Sequence, residues 1–148
     1  MIFVRYSMTL IPLDIDLSAQ VLLPLYLCPV SAGSPSIADD YVEKYISVPR
    51  WFIEHPSNTF ALKVFGDSMI EAGLWNGDIV LVDSSIEPTH GRIVVALIEG
   101  EETIKRLDMH DGQVKLVPEN PNYATISIHP ETDCTIQGAI VGMLRSYV

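Results

Sequence analysis

The chain has 148 residues, a net charge of −10 and a pI near 4.6, with nineteen acidic against nine basic side chains. That balance excludes a basic, phosphate-tracking surface and with it tight direct binding to DNA, because phosphate neutralisation dominates such affinity. The length suits one domain with an arm; a hydrophobic share of 48% and a mean hydropathy of +0.26 suffice for a core and point to a self-association surface.

Residues 1–48 hold apolar clusters broken by Pro12, Pro24, Pro29 and Pro35, then the small run Val30-Ser31-Ala32-Gly33-Ser34. No helical period or long alternation is sustained, so an extended, poorly packed arm is expected. The apolar stretch Val21–Leu27 is far shorter than the roughly 20 residues that span a bilayer, and Arg5 is a thin positive region for a signal peptide. No membrane association and a cytoplasmic location are expected. Cys28 and Cys134, far apart and unaccompanied, suit a reducing compartment. Asp39 to Ile46 reads as a short amphipathic helix or turn.

From residue 49 to residue 148 the pattern is β. Phe60, Leu62 and Val64 alternate with Ala61, Lys63 and Phe65. Turns at Gly77-Asp78 and His90-Gly91 precede the apolar runs 79–82 and 93–98. Glu99-Gly100-Glu101 reads as a tight hairpin into 103–107, and His110-Asp111-Gly112 leads into 114–117. Residues 124–128 and 134–144 complete a set of short strands, which predicts a mostly β fold, a compact barrel or sandwich.

Two features carry chemistry. Gly66-Asp67-Ser68-Met69 follows the first alternating strand, and Lys105 sits at the centre of the strand after the hairpin. A serine hydroxyl needs a base, and a neutral lysine amine serves if burial disfavours its ammonium form. Lys105 shares a strand face with Thr103 and Leu107, so an inward face would bury the amine. A helical turn starting after Ser68 would leave unpaired backbone N–H groups, and those of Asp67 and Ser68 are the candidates for an oxyanion. Each feature also has an ordinary structural explanation. Ser68-Met69-Ile70-Glu71 fits a capping box, and a lone strand lysine is usually solvated. His55, His90, His110 and His129 show no metal-ligand spacing, so neither a metal nor another cofactor is expected. Ile70 breaks a G-x-S-x-G elbow.

The set Gly66-Asp67-Ser68-Met69, Gly77-Asp78, Gly91, Thr103-Ile104-Lys105-Arg106-Leu107 and Pro118-Glu119-Asn120 resembles the LexA/UmuD family of self-cleaving Ser/Lys peptidases. Ser68 and Lys105, 37 residues apart, match the family's dyad spacing. Ala32-Gly33 is similar to the small-residue pair that the family cuts, at the family's distance upstream of the serine. Ser34-Pro35 and Ala38 to Glu43 look like the segment after the cut in UmuD proteins, so the resemblance is closer to UmuD than to LexA, whose helix-turn-helix domain does not fit the residues before Ala32.

The resemblance implies a LexA C-terminal-domain-like fold, with residues 1–48 as the arm that carries the cleavage site and residues 49–148 as the peptidase domain. It implies a homodimer, self-cleavage stimulated by a RecA–single-stranded DNA filament in the SOS response, and a cleaved product that serves a UmuC-type Y-family polymerase in error-prone translesion synthesis. The alternatives are a regulatory subunit with a vestigial dyad and a LexA-like repressor fragment. A membrane-bound signal peptidase would share the chemistry but needs an anchoring helix.

Overall fold

The computed structural model describes residues 19–26 and 42–147. Nine strands form one mixed sheet: β1 (Gln20–Tyr26), β2 (Val42–Pro49), β3 (Thr59–Lys63), β4 (Ile79–Asp83), β5 (Ile93–Ile98), β6 (Glu101–His110), β7 (Gln113–Val117), β8 (Ile126–Ile128) and β9 (Cys134–Leu144). Their order is β2-β1-β3-β4-β9-β5-β6-β7-β8. Only β1 and β3 run parallel; every other neighbouring pair is antiparallel. The expected mostly β, LexA C-terminal-like fold is what the chain adopts.

The last strand, β9, lies in the middle and joins the two halves through β4 and β5. It is irregular against each neighbour, beside Gly142 on the β4 side and beside Gly138 on the β5 side. Both glycines answer to close approach. A Cβ on Gly138 would stand 2.7 Å from the Asp83 carbonyl oxygen, and one on Gly142 would stand 2.5 Å from the Phe52 ring. These irregularities bend the strand, so that apolar faces close over separate cores. One core holds Phe60, Leu62, Met69, Leu74, Val82 and Val95; a second holds Leu23, Leu25, Val48, Ile53, Ala61 and Leu81; a third holds Val94, Ala96, Leu107 and Leu116.

Two parts of the expected arm differ from the sequence reading. Residues 20–26 and 42–49 are strands paired along their whole length, and Leu23, Leu25 and Val48 are fully buried. Of the helix or turn expected over residues 39–46, residues 42–46 are part of strand β2, and residues 39–41 lie outside the described residues. Burial decides this: Leu23 and Leu25 point to one face and fill a core that β3 and β4 alone would leave open. Pro24 is tolerated because β1 bonds to β3 only at Leu25 and Tyr26, so residues 20–24 form an edge on that side. No described helix is long and apolar enough to cross a membrane.

The hairpin expected at Glu99-Gly100 is present, and Asp111-Gly112, expected only to lead into the next strand, forms a second one. Each has two residues at positive φ, the geometry that a two-residue turn needs to match strand twist. They set the register of β6, which carries Lys105 opposite Val94 on β5.

Candidate active site

The turn chemistry around Ser68 differs from the expected helix start. Strand β3 ends at Lys63, and the chain crosses a loop before a three-residue 3₁₀ turn at Ile70–Ala72. No side chain caps that turn, so the capping-box role of Ser68 is absent. Its hydroxyl is engaged by Lys105 instead: Nζ donates to Ser68 Oγ at 2.9 Å.

Lys105 is buried, at 6% exposure. Its stem runs into the apolar face shared with Leu107, and its amine donates also to Thr103 Oγ1 at 2.6 Å and to the Ile104 carbonyl at 3.0 Å. Burial pulls the amine's pKa below that of an ordinary lysine. The three partners differ in what they accept from a neutral amine. The Ile104 oxygen can only receive a proton, whereas the Ser68 hydroxyl can turn and give one. After loss of one proton, the Lys105 lone pair can accept from the Ser68 or the Thr103 hydroxyl without any heavy atom moving.

The serine loop is held from a segment far along the chain. Asn120 Nδ2 donates to the Asp67 carbonyl at 2.9 Å, the Glu119 N–H donates to the Ser68 carbonyl at 2.9 Å, and Tyr123 Oη donates to Asp67 Oδ1 at 2.5 Å. Gly66, at φ +80°, gives its N–H to Asn76 Oδ1. Arg106, beside Lys105, bonds through Nε to Glu119 and through Nη1 to the Gly91 carbonyl. One clamp therefore fixes the serine loop and the lysine strand together. In the sequence Asn120-Pro121 reads as turn punctuation; an asparagine closing a Pro-Glu-Asn run was the available signal.

Asp67 and Ser68 share this clamped loop, and no acceptor for their backbone N–H groups is found among the described residues. Ser68 lines a cleft of about 110 Å³ with Val64, Gly66, Met69, Glu102 and Thr103. Glu102 does not stand out in the sequence. One of its carboxylate oxygens is buried without a partner among the described residues, and burial raises its pKa. Ala32 and Gly33, the expected cleavage pair, lie outside the described residues.

The histidines, unremarkable by spacing, are not all apart in space. His90 and His110 meet on either side of Asp108, beyond Lys105 on β6. His55 Nδ1 pairs with buried Asp83 at 2.7 Å, but the Ser85 hydroxyl bonds to Asp83 and not to that histidine, so no Ser-His-Asp relay forms there.

The family model for peptidase S24-like proteins matches residues 24–141. A LexA repressor of Clostridium perfringens is 44% identical over 118 residues, covering 80% of this chain and 57% of that protein. LexA repressors of Bordetella avium and Bordetella pertussis are 38% and 40% identical, over 87% and 88% of this chain and 60% and 59% of theirs. The chain spans under two thirds of the length of these relatives.

Proposed function

This chain belongs to the peptidase S24-like family, and we propose that it cleaves itself between Ala32 and Gly33 with Ser68 as nucleophile and Lys105 as general base. The observation that carries this reading is the 2.9 Å contact between a buried lysine amine and the serine hydroxyl. Neutral Lys105 takes the Ser68 proton as Oγ bonds to the Ala32 carbonyl carbon. The N–H groups of Asp67 and Ser68 receive the oxyanion. The Lys105 ammonium then protonates the Gly33 nitrogen as the peptide bond breaks, and water, deprotonated by Lys105, hydrolyses the acyl-serine. A narrow cleft favours small residues at the cut, as Ala32 and Gly33 are. In this reading residues 1–48 carry the bond that is cut and residues 49–148 carry the groups that cut it. The division is one of roles, since β1 and β2 belong to the same sheet.

A vestigial dyad is disfavoured by the cost of the arrangement. A buried ammonium is destabilising unless something selects for it, and methionine would fill the same space.

The cleaved product has two possible roles. The matched relatives are named LexA repressor, which favours a LexA-like repressor fragment whose activity ends on cutting. The sequence around Ala32-Gly33 favours the UmuD-like reading: a cytoplasmic homodimer, cut when it meets a RecA–DNA filament, whose product serves a UmuC-type polymerase. The charge of −10 supports contact with DNA through a partner and not by this chain alone. Incubating the purified chain with RecA filament, then assaying the product for stimulation of a Y-family polymerase and for operator binding, separates the two. Stimulation supports the accessory reading. Operator binding lost on cleavage supports the repressor reading.

A further inference from the structure

Outside the Ser68 cleft, the densest gathering of metal-ligating side chains among the described residues is at the far end of β6. His90 from the β4–β5 connection, with Asp108 and His110 from β6, places three ligand atoms within 4.8 Å of one another. Asp108 and His110 are two apart on a strand and share a face. His90 is brought there by the turn that precedes β5, where the Gly91 N–H donates to the Leu107 carbonyl at 2.8 Å and the Leu107 N–H donates to the Arg92 carbonyl at 2.8 Å. The two imidazole rings stand edge to face with centroids 4.3 Å apart.

We propose that His90, Asp108 and His110 form a binding site for a divalent transition-metal ion of the zinc class. Ligands 2.0–2.1 Å from a tetrahedral ion stand roughly 3.3 Å from one another. The His90 Nδ1 to Asp108 Oδ1 separation is 3.4 Å. His110 Nδ1 hydrogen-bonds to that same oxygen, a contact that opens slightly when both groups turn to one ion. His90 Nδ1 also accepts the Met109 N–H at 3.1 Å. The ion takes that lone pair, and the N–H, near the exposed end of the strand, passes to water. Two imidazoles and one carboxylate select zinc, nickel or copper over magnesium and calcium, which demand oxygen shells. Both histidines are more than half exposed, so an ion enters without a buried path, and a fourth position stays open to water. Lys115 is the register partner of Asp108 across the β6–β7 pair, so a cation stands on the strand opposite this carboxylate and weakens its pull on an ion. Occupancy would staple the His90 turn to β6 about 10 Å along the strand from Lys105. The site stands independently of the Ser68 and Lys105 roles.

The test is calorimetric titration of the full chain, carrying Ser68→Ala so that it stays intact, with zinc chloride alone. One zinc per chain is expected. At zinc a hundredfold above its dissociation constant the melting midpoint should rise by roughly 5–10 °C. His90→Asn and His110→Asn should each weaken binding at least tenfold while lowering the zinc-free melt only slightly, since both side chains are more than half exposed and lose only surface contacts. Magnesium chloride should give no saturable heat. Zinc binding that survives when His90→Asn and His110→Asn are combined in one chain, or no saturable binding up to millimolar zinc, overturns the proposal.

Discussion

At Lys105 two demands oppose each other. The burial that lowers the pKa of its amine, as the proposed base requires, also makes the folded state hold a proton less readily than the unfolded chain does. Because the folded pKa is depressed, the destabilisation is full below that pKa. It fades as pH rises toward the ordinary lysine value of about 10.4. Lys105→Met keeps the stem and removes the cation, so it should be inactive and more stable than the parent near neutral pH, with the two converging under alkaline conditions. Urea titrations across pH check this; a variant that is clearly less stable at pH 7 would make Lys105 a structural cation. Unstimulated self-cleavage of the parent should accelerate as pH rises.

Asn120 makes a different contribution, since it touches the loop and not the reacting atoms. Asn120→Ala removes the bond to the Asp67 carbonyl in a nearly buried setting. It should cost about 1–3 kcal/mol of stability and slow self-cleavage more than tenfold while leaving the pH dependence of the rate in place. A changed pH profile would mean that Asn120 acts on Lys105 itself.

Among the elements, β9 bears the strictest geometric requirement. Gly138→Ala drives a methyl group to 2.7 Å from the Asp83 carbonyl oxygen and 2.8 Å from Val82 Cγ1. Backbone cannot yield as a flexible side chain does, so a loss of about 1–3 kcal/mol in a denaturant melt is expected. A neutral result would show that β9 can shift between its two neighbours.

Elements also differ in how plainly the sequence disclosed them. The β5–β6 and β6–β7 hairpins were legible because Glu99-Gly100 and Asp111-Gly112 are local signals whose positive φ values the turn itself requires. Strand β1 was hidden by Pro24 and by its parallel partner β3, which lies more than thirty residues on and has no turn signature. Ser68 and Lys105 stood out as residue types at a characteristic spacing, and the structure brings them into hydrogen-bonding contact. The Pro118-Glu119-Asn120 run was visible but not its contact with the serine loop, and the unpartnered oxygen of Glu102 and the His90–His110 pair were not legible. Each depends on which strands become neighbours, and no local pattern encodes that.

For the molecule as a whole, two buried carboxylates tie stability to acid. Arg145 bonds to Asp78 through Nε and Nη2 and lowers its pKa; burial pushes Asp83 upward, but hydrogen bonds from Ser85 and His55 outweigh it and leave its pKa lowered. Both carboxyls contribute stability above their unfolded value of 3.8, and it is lost as pH falls through their lower folded values. Acid denaturation should therefore shift to higher pH in Arg145→Ala, by circular dichroism; an unmoved midpoint would remove Asp78 from the acid response.

The proposed self-cleavage would be an act of the whole chain, and intact mass spectrometry before and after incubation with activated RecA filament tests it most directly. A single new fragment comprising residues 33–148, absent in Ser68→Ala, is the expected result. Cleavage at another bond would contradict the site, and cleavage that persists in Ser68→Ala would contradict the nucleophile. A chain left whole by both the filament and alkaline pH would contradict self-cleavage altogether.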